Sequence, residues 1–125
     1  MTGWNVIFSY TRAEAIADGV LVDVSKMAKE AGLKYPVALT SGVWAECVAV
    51  PEGVEGQDED GRLWDVLFML TWFIRRGNGG DRVDFGVHVR KDNAEKIPPL
   101  VKLYALCGPG DDGEPVITIM LPHED

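Results

Sequence analysis

Hydrophobic positions along the chain follow two different rhythms. From residue 66 to residue 74 every position except Thr71 is apolar, and the run contains Phe68, Met69, Trp72 and Phe73. A bilayer span needs ~20 apolar residues, so this run is too short to cross one. It is also apolar on all sides, whereas an ordinary surface helix keeps a polar face. The pattern predicts one long helix, covered on several sides and central to the core. It starts at Asp58 or Asp60 and ends with Arg75 and Arg76, whose charges oppose the macrodipole. After residues 77–80 (G-N-G-G) the period changes to two. Val83, Phe85, Val87 and Val89 alternate with Arg82, Asp84, Gly86, His88 and Arg90, the pattern of a half-buried strand. Residues 100–107 and 116–121 are two further strands, joined through the turn chemistry of G-P-G-D-D-G-E-P. They predict a three-stranded antiparallel meander. One face would carry Val83, Phe85, Val87, Val89, Val101, Leu103, Ile117 and Ile119 toward the long helix.

The first half reads as short elements. Thr11-Arg12-Ala13-Glu14 has capping-box spacing, which places a helix over residues 12–18 that closes at Gly19. Residues 20–24 are apolar and β-branched, hence a short strand or an extended core segment. Ser25 is placed to cap a helix over 26–31, stopped by Gly32, and Thr40 or Ser41 to cap a third near 42–48. Residues 35–39 contain Pro36 and read as extended but not as a central strand, because proline cannot donate to a ladder. The expected fold class is therefore α+β: short N-terminal helices and one long central buried helix packed on the meander, in a single domain spanning residues 1–125. On this reading Trp72→Ala removes a buried aromatic and costs ~3–5 kcal/mol.

Composition adds the broad class. With 46% hydrophobic and 26% charged residues the chain has the make-up of a folded globular domain. The net charge of −8 is segregated. Residues 51–65 and 111–125 are strongly acidic, and the stretch between is mildly basic. Net acidity disfavours nucleic acid and favours basic partners, although solubility alone accounts for it. The first ten residues lack the basic start and long apolar stretch of a signal peptide, so the cytoplasm is the expected compartment. There Cys47 and Cys107 stay reduced and read as small buried hydrophobes.

No motif carries recognisable chemistry. Residues 77–81 follow a helix and precede a strand, the reverse of a phosphate loop. Asp111, Asp112 and Glu114 lack the length and flanks of a calcium loop and read as a solvated turn. His88 and His123 have no partners at metal-ligand spacing, and Ser9, Ser25 and Ser41 lack a G-x-S-x-G context. No metal, cofactor or catalytic residue is expected. Two polar groupings remain as binding candidates. One is Tyr10, Thr11 and Arg12, where a helix N-terminus meets hydroxyls and a guanidinium. The other is the polar sheet face, with Arg82, His88 and Arg90 on one strand and Lys102 and Tyr104 on the next.

Four stretches carry a resemblance. They are I-F-S-Y-T-R-A-E-A-I-A-D-G-V-L-V-D-V-S (residues 7–25), P-V-A-L-T-S-G-V-W (36–44), D-G-R-L-W-D-V-L (60–67) and G-D-D-G-E-P-V-I-T-I-M-L-P (110–122). In these the chain resembles a family of short uncharacterised proteins of bacteria, phages and plasmids. The resemblance implies a single domain and a mobile-element setting, and brings no catalytic residues. The expected role is a small non-catalytic interaction protein that modulates a host process such as restriction, CRISPR defence or replication. Its partner would be a host protein with a basic surface, met by the acidic segments, and no membrane. The alternatives are a small ligand-binding domain or enzyme with a pocket near Tyr10 and Arg12, and nucleic-acid binding through Arg75, Arg76, Arg82 and Arg90.

Overall fold

The alternating last third folds as its period predicts, and the sheet it starts is larger than a meander. A computed structural model describes residues 10–77, 79–94 and 96–124; Ser9, Asn78 and most of the first ten residues lie outside these. In chain order the elements are α1 (Arg12–Ala17), β1 (Leu21–Asp23), α2 (Ser25–Glu30), β2 (Val37–Thr40) and α3 (Ser41–Val43). A π-helical turn, Trp44–Val48, continues α3. Then come α4 (Glu59–Arg76), β3 (Arg82–His88), β4 (Leu100–Pro109) and β5 (Pro115–Met120).

The strands form one five-stranded mixed sheet in the order β1-β2-β5-β4-β3. β3, β4 and β5 pair antiparallel, as expected, but β2 joins β5 in parallel and β1 joins β2 antiparallel. The three-stranded meander is thus corrected to a five-stranded α+β sheet. Residues 35–39 are extended, as expected, but β2 is a central strand, and its central place is hidden in the sequence for two physical reasons. Val37, Ala38 and Leu39 are buried on both faces, so the segment does not alternate. Pro36 stands one residue before the strand, where its missing N–H costs the ladder nothing and its carbonyl accepts from the Ile117 amide.

α4 crosses one sheet face and packs on β3, the π-helical turn and α2. Its inward residues Val66, Leu67 and Leu70 are fully buried among Leu39, Leu103 and Ile119. Thr71, the one polar residue of the run, donates its hydroxyl to Leu67 and Ala31, tying α2 to α4. α1 lies against the opposite face. Its capping box is formed: the Glu14 amide donates to Thr11 Oγ1 at 3.0 Å, and the Thr11 amide reaches the Glu14 carboxylate. Thr40 caps α3 through the Val43 amide. Ser25 does not cap α2. It is the first residue of that helix, and its hydroxyl accepts from the Val37 amide while its own amide donates to Asp23.

Candidate functional site

α4 begins where Asp58 accepts the Gly61 amide at 2.6 Å, with Glu59 and Asp60 in its first turn and Arg75 and Arg76 in its last. Acid at the amino end and base at the carbonyl end both favour the helix dipole. The charges therefore sit some 16 residues apart on one rod, ~24 Å at 1.5 Å per residue. Between them the inward face is complete, but the outward face is not covered. Trp64, Phe68 and Trp72 are 39%, 50% and 41% exposed. They recur at four-residue spacing, so they form one ridge along the helix. The expectation of a helix covered on several sides is corrected here: one side meets the sheet, and an aromatic ridge faces outward.

At its carbonyl end the ridge runs into a cleft of about 580 Å³ between α4, Tyr35 and the edge of the sheet. Trp72 and Phe73 meet edge to face with centroids 5.1 Å apart, and the Arg76 guanidinium stacks 4.0 Å over the Trp72 ring. Val83, Ala105 and Cys107 form the apolar floor.

The residues singled out in the sequence lie on the other side of the sheet. Arg82, Tyr104 and Lys102 share that face, and Arg12 reaches it as well. Arg12 Nη1 donates to Thr118 Oγ1 and Nη2 to the Ile117 carbonyl, both at 2.7 Å. Thr118 pairs with Leu106, and Leu106 with Arg82, so the two groupings share one cross-strand row. Their polar groups are turned largely on the protein itself. The Arg82 guanidinium lies 3.9 Å over the Tyr104 ring and pairs with Asp84 at 3.0 Å. Tyr104 is buried and its hydroxyl donates to the Glu124 carbonyl. His88 Nδ1 meets the Pro98 carbonyl at 2.8 Å. Arg90, beyond β3, donates to the Asp92 and Lys96 carbonyls of its own loop, while Lys102 is exposed. Tyr10 donates to Asp18 at 2.6 Å, a bond that holds its phenol neutral and pushes its pKa up to about 12. A shallow cleft of about 490 Å³ opens beside Tyr10, Arg12 and Thr118.

The helix N-terminus at Thr11 and Arg12 does receive an anion, and the anion is Asp111. Its carboxylate accepts the Arg12 amide at 2.7 Å and the Ala13 amide at 3.0 Å. The turn read as merely solvated therefore clamps α1 to the β4–β5 hairpin. These amides favour the charged carboxylate and hold Asp111 below its usual pKa. A depressed folded pKa adds stability above the unfolded value and loses it as pH falls through the folded value. We expect wild type to melt above Asp111→Asn at pH 7, with the gap closing as pH drops below about 4, the unfolded aspartate pKa. Thermal melts of both proteins across that range check this; a gap independent of pH would refute the clamp.

Cys47 is buried against the same core, and burial pushes its thiol up to about 11, which leaves it un-ionised near neutrality. Among the described residues no group of three histidine, cysteine or carboxylate side chains is arranged to hold a metal ion. Nor is any helix among them long and apolar enough to cross a membrane.

Fold and site together describe a small α+β domain that presents an aromatic helix face, with its polar candidates other than Lys102 engaged in internal contacts. The chain belongs to a family described as "Family of unknown function (DUF6573)", whose model matches residues 1–125. No curated protein and no solved structure matches it.

Proposed function

We propose that this protein is a non-catalytic interaction module that docks through the outward ridge of α4. The partner is a protein surface with an apolar centre, a basic patch opposite Asp58, Glu59 and Asp60, and an acidic patch opposite Arg75 and Arg76. The observation that carries this reading is the exposed ridge of Trp64, Phe68 and Trp72 between ends of opposite charge. Exposed aromatics are the residue types that dominate protein–protein hot spots, and two tryptophans on one face of a small domain are costly to leave in water. The acidic segments contribute less than their charge suggests, since Asp111 is spent on α1 and Glu124 accepts from Thr40 and the Leu121 amide. The mobile-element setting that the sequence resemblance implies suits a small accessory module that acts through contact with another protein chain. The cytoplasm suits Cys47 and Cys107, which are both free thiols. A photoreactive phenylalanine analogue placed at Phe68 tests the reading. The expected product is a protein adduct whose cross-linked peptide is apolar and flanked by both charge signs. No protein adduct at all would overturn it.

The cleft beside Trp72 supports a second reading, a small apolar ligand that carries an anionic group for Arg76. Its volume lies in the range of small-molecule sites, and its lining is mainly apolar, with Arg76 beside Trp72 and with Arg82, Asp81 and Asp84 at the sheet edge. An aromatic carboxylate that binds there should raise the melting temperature of wild type and not of Arg76→Ala. Equal shifts in both would remove the cleft from consideration.

A further inference from the structure

We infer that the surface complementary to the α4 ridge is the α4 ridge of a second copy, so that the protein forms an antiparallel two-fold dimer. The inference rests on the docking reading above and names its occupant. It comes from the order of residues along the ridge. At four-residue steps α4 reads Asp60, Trp64, Phe68, Trp72 and Arg76, all of them exposed. That order is symmetric about Phe68 in its aromatics and antisymmetric in its charges.

A two-fold interface places the same patch on both partners, so a residue k positions before the axis meets the one k positions after it. With Phe68 on the axis, Phe68 meets Phe68, each Trp64 meets the partner copy's Trp72, and each Asp60 meets the partner copy's Arg76. Aromatics thus meet aromatics along the middle, and opposite charges meet at both ends. Four-residue rows are inclined to their helix axes, so laying one row along the other makes the two helices cross at an angle. A parallel pairing would instead set Asp60 near Asp60 and Arg76 near Arg76, so the charges select the antiparallel arrangement. An unrelated partner would not require the ridge to be symmetric about its centre. The contact is one helix wide, which places it among small, reversible interfaces rather than obligate ones.

Sedimentation equilibrium over a wide concentration range, at low salt, tests this. Wild type should pass from the 13.7 kDa monomer to twice that mass as concentration rises. Phe68→Glu puts two like charges on the axis and should remain monomeric. Because Phe68 is half exposed, that variant should keep its fold, which far-ultraviolet circular dichroism checks. Asp60→Arg and Arg76→Asp each turn two attractive contacts into repulsive ones, and each should weaken self-association at least about tenfold. The decisive measurement mixes those two single variants. One copy then carries arginine at both ends and the other aspartate at both ends, so every end contact is again attractive. The mixture should form heterodimers about as strongly as wild type forms homodimers.

Three results would overturn the inference: wild type monomeric throughout, a dimer that survives Phe68→Glu, or a mixture no stronger than its components. The photo-cross-link at Phe68 separates its failure from that of the docking reading. An adduct with a different protein, from a chain that stays monomeric, would sink the dimer and leave the docking surface standing. No adduct would sink both.

Discussion

Leu67→Ala should lower the unfolding free energy by ~3–5 kcal/mol, several times the ~1 kcal/mol expected for Trp72→Ala in dilute solution. The two residues lie five apart on the same helix and differ in what covers them. Leu67 is wholly enclosed between α4 and the sheet. Truncating it removes the transfer energy of its side chain and leaves a hole that a backbone pinned by a five-stranded sheet cannot close. Trp72 is 41% exposed and touches Phe73 and Arg76 on the protein surface. Its removal leaves no enclosed cavity, and water fills the space. This replaces the larger loss that the apolar run alone suggests for Trp72. Denaturant unfolding of both variants at low protein concentration checks the ranking. Equal losses would mean that the ridge is covered in the monomer, which would also remove the proposed docking surface.

Arg62→Ala should be the most damaging polar substitution, at ~2–4 kcal/mol. Arg62 sits in the first turns of α4, and only 5% of its surface is exposed. Nε donates to the Val48 carbonyl at 3.1 Å, at the end of the π-helical turn. Nη1 donates to the Arg90 carbonyl at 2.9 Å, just beyond β3, and to Gln57 Oε1 at 3.3 Å. One guanidinium thus joins three segments that are far apart in sequence. Burial, with no carboxylate among the described residues in hydrogen-bond contact, lowers its pKa, yet an arginine so placed remains charged at neutral pH. Removing it takes one donor from each of the Val48 and Arg90 carbonyls and empties the volume of the side-chain stem. Relief of the buried charge offsets part of that loss. Arg62→Met separates the two effects, because it restores most of the volume and none of the donors. It should recover about 1 kcal/mol of the alanine loss, the packing share. Full recovery would show that the hydrogen bonds contribute nothing.

Arg62 also shows the limit of reading the chain locally. Its neighbours in sequence mark it only as a basic residue near the start of a helix. Its acceptors, Val48 and Arg90, lie 14 and 28 residues away. No periodicity announces such a link. The same holds for Asp111, whose place in G-P-G-D-D-G-E-P marks a turn but not the α1 amides it holds. Tyr10, Thr11 and Arg12 were legible as a helix start, and Arg82, Lys102 and Tyr104 as one sheet face. That Arg12 and Arg82 share a face follows only from α1 folding across the sheet. The aromatic ridge was visible as residues and misplaced as burial: a run apolar on every side looks the same whether one side or all sides are covered.

By itself the sequence determined what depends on near neighbours. The Thr11–Glu14 capping box, the other two caps to within one or two residues (Thr40 or Ser41, Asp58 or Asp60), the carbonyl end of α4 and the period-two strands all arise within a few residues, where hydrogen-bond geometry and side-chain period act directly. Tertiary structure alone decided which partners those elements took. It set β2 between β1 and β5, sent Arg12 and Asp111 into internal contacts, and covered one side of α4 while leaving Trp64, Phe68 and Trp72 outside. The physical reason is that burial belongs to the whole packed chain. Hydrophobicity says which side chains gain by leaving water, and only the area of sheet available to receive them says which ones do.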